Sequence, residues 1–172
     1  ADDTFWDVKS KKAVKLPRSP RQLTIEFLKR GNKTLAENES ASLRDLGDGV
    51  LLLEFHSKMN TVDDQNTALM HQAVNEAEKN FAALVVGNDG GNFGAGANIG
   101  ALLMLVNAGE WEMVRKMIID FQSANQRLRY SSIPGVTAPF ALTLGGGAEI
   151  AMAGNAIQAA AELYIGLVEV GV

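Results

Sequence analysis

The sequence predicts an α/β domain with mixed strands, built as a coil of ββα units rather than as a regular strand-helix-strand alternation. Three observations favour this fold class. Two short apolar segments flank Gly47-Asp48-Gly49, a strong hairpin signal. A segment of helical periodicity at residues 61–80 follows the hairpin, and a short apolar run at residues 81–86 follows that helix. The order is hairpin, helix, strand, helices, strand and helix, which fits such a coil.

The first part of the chain contains shorter elements. Residues 5–8 and 13–16 flank a polar segment and predict a small hairpin. Residues 23–30 predict a short helix that ends at Gly31-Asn32.

The central hairpin has its predicted strands at residues 41–46 and 50–55. The helix predicted at residues 61–80 carries Asp63 and Asp64 in its first turn, where carboxylates suit the positive end of the helix dipole. The run at residues 81–86 is then predicted to be a buried strand.

A glycine-rich loop at residues 88–96 separates this strand from two predicted helices, residues 99–106 and 110–130, of which the second is long and amphipathic. The remaining elements are a strand at residues 136–140, a helix opened by residues 145–147 that runs to about residue 153, a short strand at residues 157–158 and an apolar tail at residues 166–172.

Composition excludes several classes of function. The 172 residues contain no cysteine, so disulfides, thiolate zinc sites and cysteine nucleophiles are absent. No apolar run reaches the roughly 18 residues that a bilayer span needs, and no signal peptide is visible at the N-terminus. We expect a cytoplasmic protein without a membrane span.

Charge is distributed unevenly along the chain. Residues 1–33 hold nine Lys/Arg and four Asp/Glu, whereas residues 34–172 hold seven and sixteen. This change predicts a basic linker or extension at residues 1–40 and a separate core at residues 41–172. A basic arm can bind nucleic acid, but its charges are scattered and lack interleaved aromatic residues, so a solvated linker is favoured.

The glycine-rich loop has two possible interpretations. Small residues let a substrate approach the backbone, and N–H groups at a helix start can bind an anion or oxyanion. Gly94-Ala95-Gly96 also matches the start of a dinucleotide fingerprint. The third glycine is missing, however, and the expected acid falls within a long helix, which counts against a nucleotide site.

Two acidic residues occupy unusual settings. Glu149 follows three glycines that open a helix, and Glu169 is the single acid in an apolar tail. Taken alone, Glu149 would be a helix-terminal carboxylate and Glu169 a residue on an edge strand. The two histidines, His56 and His71, are too far apart for an obvious metal site and are predicted to be structural or exposed. No metal is expected.

In combination, three motifs resemble those of the enoyl-CoA hydratase (crotonase) superfamily. They are Phe-Gly-Ala-Gly-Ala-Asn-Ile at residues 93–99, Gly-Gly-Gly-Ala-Glu at residues 145–149 and Glu-Val-Gly-Val at residues 169–172. Asn98 stands where most hydratases carry an acid. The resemblance implies a crotonase-like spiral of ββα units, with the family's C-terminal helices missing after residue 172.

Residues 45–60, 127–149 and 161–172 are more closely similar to the C-terminal hydratase-like part of bacterial multidomain 3-hydroxyacyl-CoA dehydrogenases. This implies that an NAD-binding dehydrogenase domain lies upstream, that this chain has no cofactor of its own, and that the protein forms a homo-oligomer. The truncated chain is expected to be inactive alone.

The implied reaction is addition of water to a trans-2-enoyl-CoA in fatty acid β-oxidation. By resemblance, Glu149 activates the water and Glu169 delivers a proton to the α-carbon. The backbone N–H groups of Ala97 and Gly146 form the oxyanion hole. The implied residues that bind the acyl-CoA are Met59, Phe93, Gly94, Ala95 and Gly96.

Two alternatives remain open. An enoyl-CoA isomerase needs a single well-placed glutamate, so the presence of both acids favours a hydratase. The other alternative is a non-catalytic module that binds acyl-CoA or supports assembly.

Overall fold

The computed structural model describes residues 4–15, 23–31 and 33–168. In chain order the strands are β1 (Thr4–Asp7), β2 (Lys12–Lys15), β3 (Thr34–Glu37), β4 (Ala41–Gly47), β5 (Val50–Phe55), β6 (Ala83–Gly87), β7 (Gly135–Thr137), β8 (Leu142–Leu144), β9 (Ala156–Ile157) and β10 (Tyr164–Gly166). The helices are α1 (Ile25–Arg30), α2 (Asp64–Asn80), α3 (Ile99–Asn107), α4 (Trp111–Arg129) and α5 (Gly146–Ala153).

The main sheet has six strands in the order β3-β4-β5-β6-β7-β9. The first three strands are antiparallel neighbours, and β5, β6, β7 and β9 are parallel. Strands β8 and β10 form a separate parallel pair, and β1 and β2 form an antiparallel hairpin. This mixed, parallel-rich arrangement confirms the α/β class.

Helix α2 covers one face of the sheet. Its start is fixed by a capping box, in which the Asp63 side chain accepts the Asn66 N–H and the Asn66 side chain accepts the Asp63 N–H. The apolar face of α2 packs on alternate residues of the strands. Side chains recur on one face of a helix about every 3.6 residues and on one face of a strand every second residue. The cluster formed there includes Leu43, Leu51, Leu53, Phe55, Leu69, Met70, Val74, Leu84 and Val86.

Helix α1 lies on the opposite face of the sheet, where Ile25 and Leu28 pack on Leu52. This face also holds a buried ion pair, with Arg44 Nε 2.6 Å from Glu54 Oε2. Both groups have further partners: Arg44 donates to the Ser42 and Thr34 hydroxyls, and Lys29 Nζ of α1 lies 3.3 Å from Glu54 Oε1. Buried charges are tolerated when they are paired in this way.

Several predicted boundaries differ from the structure. Helix α1 begins at Ile25 because the Thr24 side chain accepts the Phe27 N–H and caps it. Helix α2 begins at Asp64, since Asp63 is the cap. The strand predicted at residues 136–140 ends at Thr137.

Three strands, β3, β8 and β10, were not predicted. Strand β3 lies within the predicted linker, yet it pairs with β4 at the edge of the main sheet. The main sheet thus already starts at Thr34. The division into a linker at residues 1–40 and a core at residues 41–172 stays a prediction. The predicted tail is described only as far as Val168, so Glu169 lies outside the described residues.

Candidate active site

The loop after β6 runs beside the segment that contains β8. The Phe93 N–H donates to the Phe140 carbonyl at 3.2 Å and the Gly94 N–H to the Leu142 carbonyl at 3.2 Å, while the Leu144 N–H donates to the Gly94 carbonyl at 2.8 Å. Phe93 is buried in the core and anchors the loop. The glycine-rich loop is thus held in a fixed position by backbone hydrogen bonds on one side.

Two glycines make the contact between this loop and helix α5 possible. A Cβ atom placed on Gly147 would lie 2.5 Å from the Gly94 carbonyl oxygen, and one placed on Gly94 would lie 3.2 Å from Gly147 Cα. Both neighbours are backbone atoms and cannot rotate away. Glycine at these positions therefore lets two backbone segments approach more closely than any other residue would allow.

Val62 contacts both residues that are predicted to form the oxyanion hole, Ala97 and Gly146. Its N–H donates to the Gly96 carbonyl at 2.8 Å and its carbonyl accepts the Asn98 N–H at 3.1 Å, so that Val62 pairs with Ala97 in a parallel bridge. A Cβ placed on Gly146 would lie 3.3 Å from Val62 Cγ2. Ala97 and Gly146 thus adjoin the same residue from different segments.

The N–H groups of Ala97 and Gly146 donate to no acceptor within residues 4–15, 23–31 and 33–168. Gly146 is the first residue of α5, where N–H groups have no partner within the helix. The positive end of the helix dipole lies at the same place. N–H groups of this kind are suited to an oxygen that gains negative charge.

Glu149 extends from the first turn of α5, with an exposed side chain. It lines a cleft of about 470 Å³ between α5 and α4. Its N–H donates to the Gly145 carbonyl, which closes the first helical turn. The carboxylate is therefore one turn away from the Gly146 N–H on a rigid element.

Strand β10 brings the end of the described chain to this region. It runs parallel to β8, and the Gly145 N–H donates to the Gly166 carbonyl at 2.9 Å. Because β8 leads directly into α5, the two parallel strands point towards the same side of the molecule. The position of Glu169 itself stays a prediction.

Met59 lies in a tight turn after β5, with its backbone in the left-handed region at φ 59°. Its carbonyl accepts the Ala95 N–H at 3.2 Å, so the turn is tied to the glycine-rich loop. Its exposed side chain lines a second cleft, of about 570 Å³, together with His56, Asn60 and residues 89–92. The predicted acyl-CoA residues Met59, Phe93, Gly94, Ala95 and Gly96 therefore form one continuous region.

The two histidines make contacts within the fold. His56 Nε2 is 2.8 Å from the Ser42 hydroxyl, and the His71 carbonyl accepts a hydrogen bond from Arg127. No cluster of three potential metal ligands occurs in the described part of the chain. Among the helices described, none is long and apolar enough to cross a membrane.

Two carboxyl groups distant from the clefts have lowered pKa values. A hydrogen bond from the Ser10 hydroxyl lowers the pKa of Asp7. Glu78 lies on α2. The N–H of Ser132 and the hydroxyl of Ser131, in the turn that follows α4, lower its pKa.

Helix α4 contributes residues that the motifs did not indicate. Phe121 would lie 3.4 Å from a Cβ placed on Gly146, so it forms one wall of the site. Gln122, Asn125 and Gln126 line the cleft beside Glu149. Their spacing along the helix was a detectable signal, but an amphipathic pattern by itself indicates only a solvent-facing stripe.

Comparison with known proteins confirms the resemblance. The chain is 42% identical over 168 residues to a protein of Bacillus subtilis described as a probable 3-hydroxyacyl-CoA dehydrogenase, an alignment that covers 98% of this chain and 21% of that protein. Two rickettsial relatives, at 28% and 30% identity, have names that refer to a fatty acid oxidation complex. The chain spans about a fifth of the length of these curated relatives. No family model matches.

Solved structures show the same fold. A carnitinyl-CoA dehydratase from Mycobacterium thermoresistibile superposes with a TM-score of 0.72 at 21% identity, over 78% of this chain and 41% of the other. An enoyl-CoA hydratase from Thermoplasma volcanium superposes with a TM-score of 0.66 at 24% identity, over 78% and 53% of the two chains. The chain therefore has the crotonase fold, as the sequence motifs predicted.

Proposed function

We propose that this chain carries the site of an enoyl-CoA hydratase, which adds water to the 2,3 double bond of a trans-2-enoyl-CoA. The observation that supports this most directly is the arrangement around Val62. Two N–H donors without an acceptor in the described chain, those of Ala97 and Gly146, adjoin this residue. Glu149 lies one turn further along the helix that Gly146 begins.

The thioester oxygen is the natural ligand of the two N–H groups. Attack at C3 moves the π electrons towards the carbonyl, so this oxygen becomes more negative in the transition state than in the substrate. Donors that are already in place stabilise such charge without reorganisation, and removal of one donor typically costs about 10²–10³ in rate. The dipole of α5 acts in the same direction.

Glu149 is proposed to accept a proton from the water that attacks C3, and Glu169 to supply a proton to C2. Net addition requires one carboxyl group to be ionised while the other is protonated. Two nearby carboxyl groups favour such a state because each raises the cost of ionising the other. A base also has to lie within hydrogen-bond reach of its proton, and the position of Glu149 on the first turn of a helix supports this role.

The CoA portion is proposed to lie along Met59 and the loop from Phe93 to Gly96. This loop has small residues at the points where a ligand would approach the backbone. The reaction requires no metal or redox cofactor from this chain. Acyl-CoA is accordingly its proposed ligand, and nucleic acid is not.

The relatives suggest a place in a larger polypeptide. Hydration yields a 3-hydroxyacyl-CoA, the substrate named in the description of the Bacillus subtilis relative. We therefore propose that an NAD-dependent dehydrogenase domain precedes this chain and oxidises the product in fatty acid β-oxidation. Homo-oligomer formation and a cytoplasmic location belong to the same proposal.

The test is an incubation of the full-length protein with a short trans-2-enoyl-CoA and, separately, with the 3-enoyl isomer. Mass spectrometry of the products separates addition of water from a shift of the double bond. We expect a 3-hydroxyacyl-CoA from the 2-enoyl substrate. Conversion of the 3-enoyl substrate without hydration would identify an isomerase, and binding without turnover would identify a non-catalytic module.

A further inference from the structure

Helix α4 packs against both helices that begin at the predicted oxyanion hole. Helix α3 starts two residues after Ala97, and α5 starts at Gly146. Both helices pack on α4, and the α4 side chain that reaches Gly146 is that of Phe121. A side chain of α4 is therefore placed where it can affect a backbone donor of the candidate site.

The far end of the Phe121 ring is the part of this side chain nearest to Gly146. A Cβ atom placed on Gly146 would lie 3.4 Å from Phe121 Cζ and 3.7 Å from Phe121 Cε1. The side chain is partly buried and packs against the main core cluster, which anchors it. Val62 Cγ2 lies 3.3 Å from the same Cβ position. Two apolar groups thus border Gly146.

These two groups lie on the side of Gly146 that faces the start of α5. The Cα–Cβ direction of a helical residue tilts towards the helix N-terminus, and the N–H groups of the first turn point out of the same end. Atoms close to the Cβ position of Gly146 are therefore close to the end from which its N–H projects. Because Gly146 itself is buried, its N–H opens into a space with an apolar wall.

An apolar wall at this position has two effects on the Gly146 N–H. Phe121 and Val62 offer no oxygen or nitrogen acceptor, so the donor stays unpaired within the part of the chain that the structure describes. The two side chains also exclude water from that side, and a hydrogen bond to a developing negative charge is stronger in a dry site than in water. A buried donor without an acceptor costs stability, and it calls for a ligand that supplies the acceptor.

We propose that Phe121 is a positioning residue for the oxyanion hole, an inference that rests on the proposed hydratase function. The end of its ring, together with Val62, holds Gly146 in place and keeps the Gly146 N–H dry and available to the thioester oxygen. The ring takes no part in bond formation. It acts through this N–H, whose interaction with the oxygen strengthens as negative charge develops in the transition state.

The first test is Phe121→Leu in the full-length protein. Leucine removes the ring atoms nearest to Gly146 and keeps an apolar side chain against the core. We expect kcat for hydration to fall by about 10-fold to 10²-fold, whereas complete loss of a donor typically costs about 10²–10³. The KM should change less than about threefold, because the donor stabilises the transition state more than the bound substrate.

Phe81→Leu is the matched control. Phe81 is also partly buried against the main core cluster, but it precedes β6, whereas the glycine-rich loop follows that strand. The same truncation should lower the melting temperatures of the two variants by similar amounts. Only Phe121→Leu should lose activity, with kcat of Phe81→Leu within about threefold of wild type. An equal loss of kcat in Phe81→Leu would overturn the role of Phe121.

Phe121→Tyr separates the proposed role from a packing role in a second way. The added hydroxyl is bonded to Cζ, the ring atom nearest to Gly146, and its oxygen can accept the Gly146 N–H. Pairing a buried donor should leave the melting temperature unchanged or raise it. Because the donor is then occupied, kcat should fall by about 10²–10³.

The infrared stretch of the thioester carbonyl in a bound, saturated acyl-CoA tests the same role without turnover. Hydrogen bonds to the oxygen lower its frequency, so the frequency should rise in Phe121→Leu and Phe121→Tyr and keep the wild-type value in Phe81→Leu. Wild-type kcat or an unshifted stretch in either Phe121 variant would overturn the role of Phe121 and leave the hydratase proposal intact. Absence of hydration by the wild-type protein would overturn the proposed function, and the carbonyl stretch would still decide the role of Phe121.

Discussion

Substitution of Gly147 by alanine tests the backbone contact on which the candidate site depends. The new Cβ would lie 2.5 Å from the Gly94 carbonyl oxygen, whereas ordinary contacts begin at 3.4 Å. The loop and α5 must therefore separate by about 1 Å. Overpacking typically costs about 1–3 kcal/mol, and the backbone location puts this case near the upper limit. Alanine regains about 0.5–1 kcal/mol of helix propensity, which leaves a net loss of about 2 kcal/mol.

The same displacement should lower hydration activity. It separates the segment that carries the Ala97 N–H from the helix that carries the Gly146 N–H, and a displacement of about 1 Å can cost about 10²-fold in rate. Chemical denaturation and hydration assays measure the two effects. The matched control is Gly31→Ala, since a Cβ there has only ordinary contacts of 3.5 Å or more and the residue lines neither cleft. A Gly147→Ala protein with the stability and activity of Gly31→Ala would refute the contact.

Three further predictions follow from the same structure. Gly146→Val should abolish hydration in a folded protein, because a Cβ there already lies 3.3 Å from Val62 Cγ2 and the extra methyl groups crowd the oxyanion position; circular dichroism and turnover assays check this. Glu78→Gln should lower stability at neutral pH but not in strong acid. The folded-state pKa of Glu78 lies below its ordinary 4.5, so its contribution is complete above that value and disappears as the pH falls through the lowered pKa; denaturation at several pH values tests the sign. Residues 1–172 alone should show little hydration compared with the full-length protein, because this chain spans only about a fifth of the length of its curated relatives; hydration assays of both proteins check this.

Local signals were sufficient for the long elements of the fold. Helices α2 and α4 have strong helical periodicity, and the β4–β5 hairpin is marked by its glycine turn. Strands β8 and β10 have three residues each and pair with each other across a helix and a further strand. Such strands are specified by distant partners and not by local pattern, which explains why they were missed.

The glycines of the candidate site could be identified from the sequence, but their contacts could not. The motifs identified the glycines at positions 94 and 147, whereas their contact appears only when the two segments are brought together. A polar residue on an amphipathic helix indicates solvent exposure, whereas the structure shows that the Asn125 Oδ1 atom on α4 is buried.

The most direct test of the account is the kcat/KM for hydration of a short trans-2-enoyl-CoA by the full-length protein and its Glu149→Gln and Glu169→Gln variants. Glu162→Gln is the control, because Glu162 is an exposed acid in the turn before β10. Loss of a positioned acid or base typically costs about 10² or more. We expect losses of at least that size for Glu149→Gln and Glu169→Gln and wild-type kcat/KM for Glu162→Gln. Hydration by Glu149→Gln at the wild-type rate would contradict the central claim.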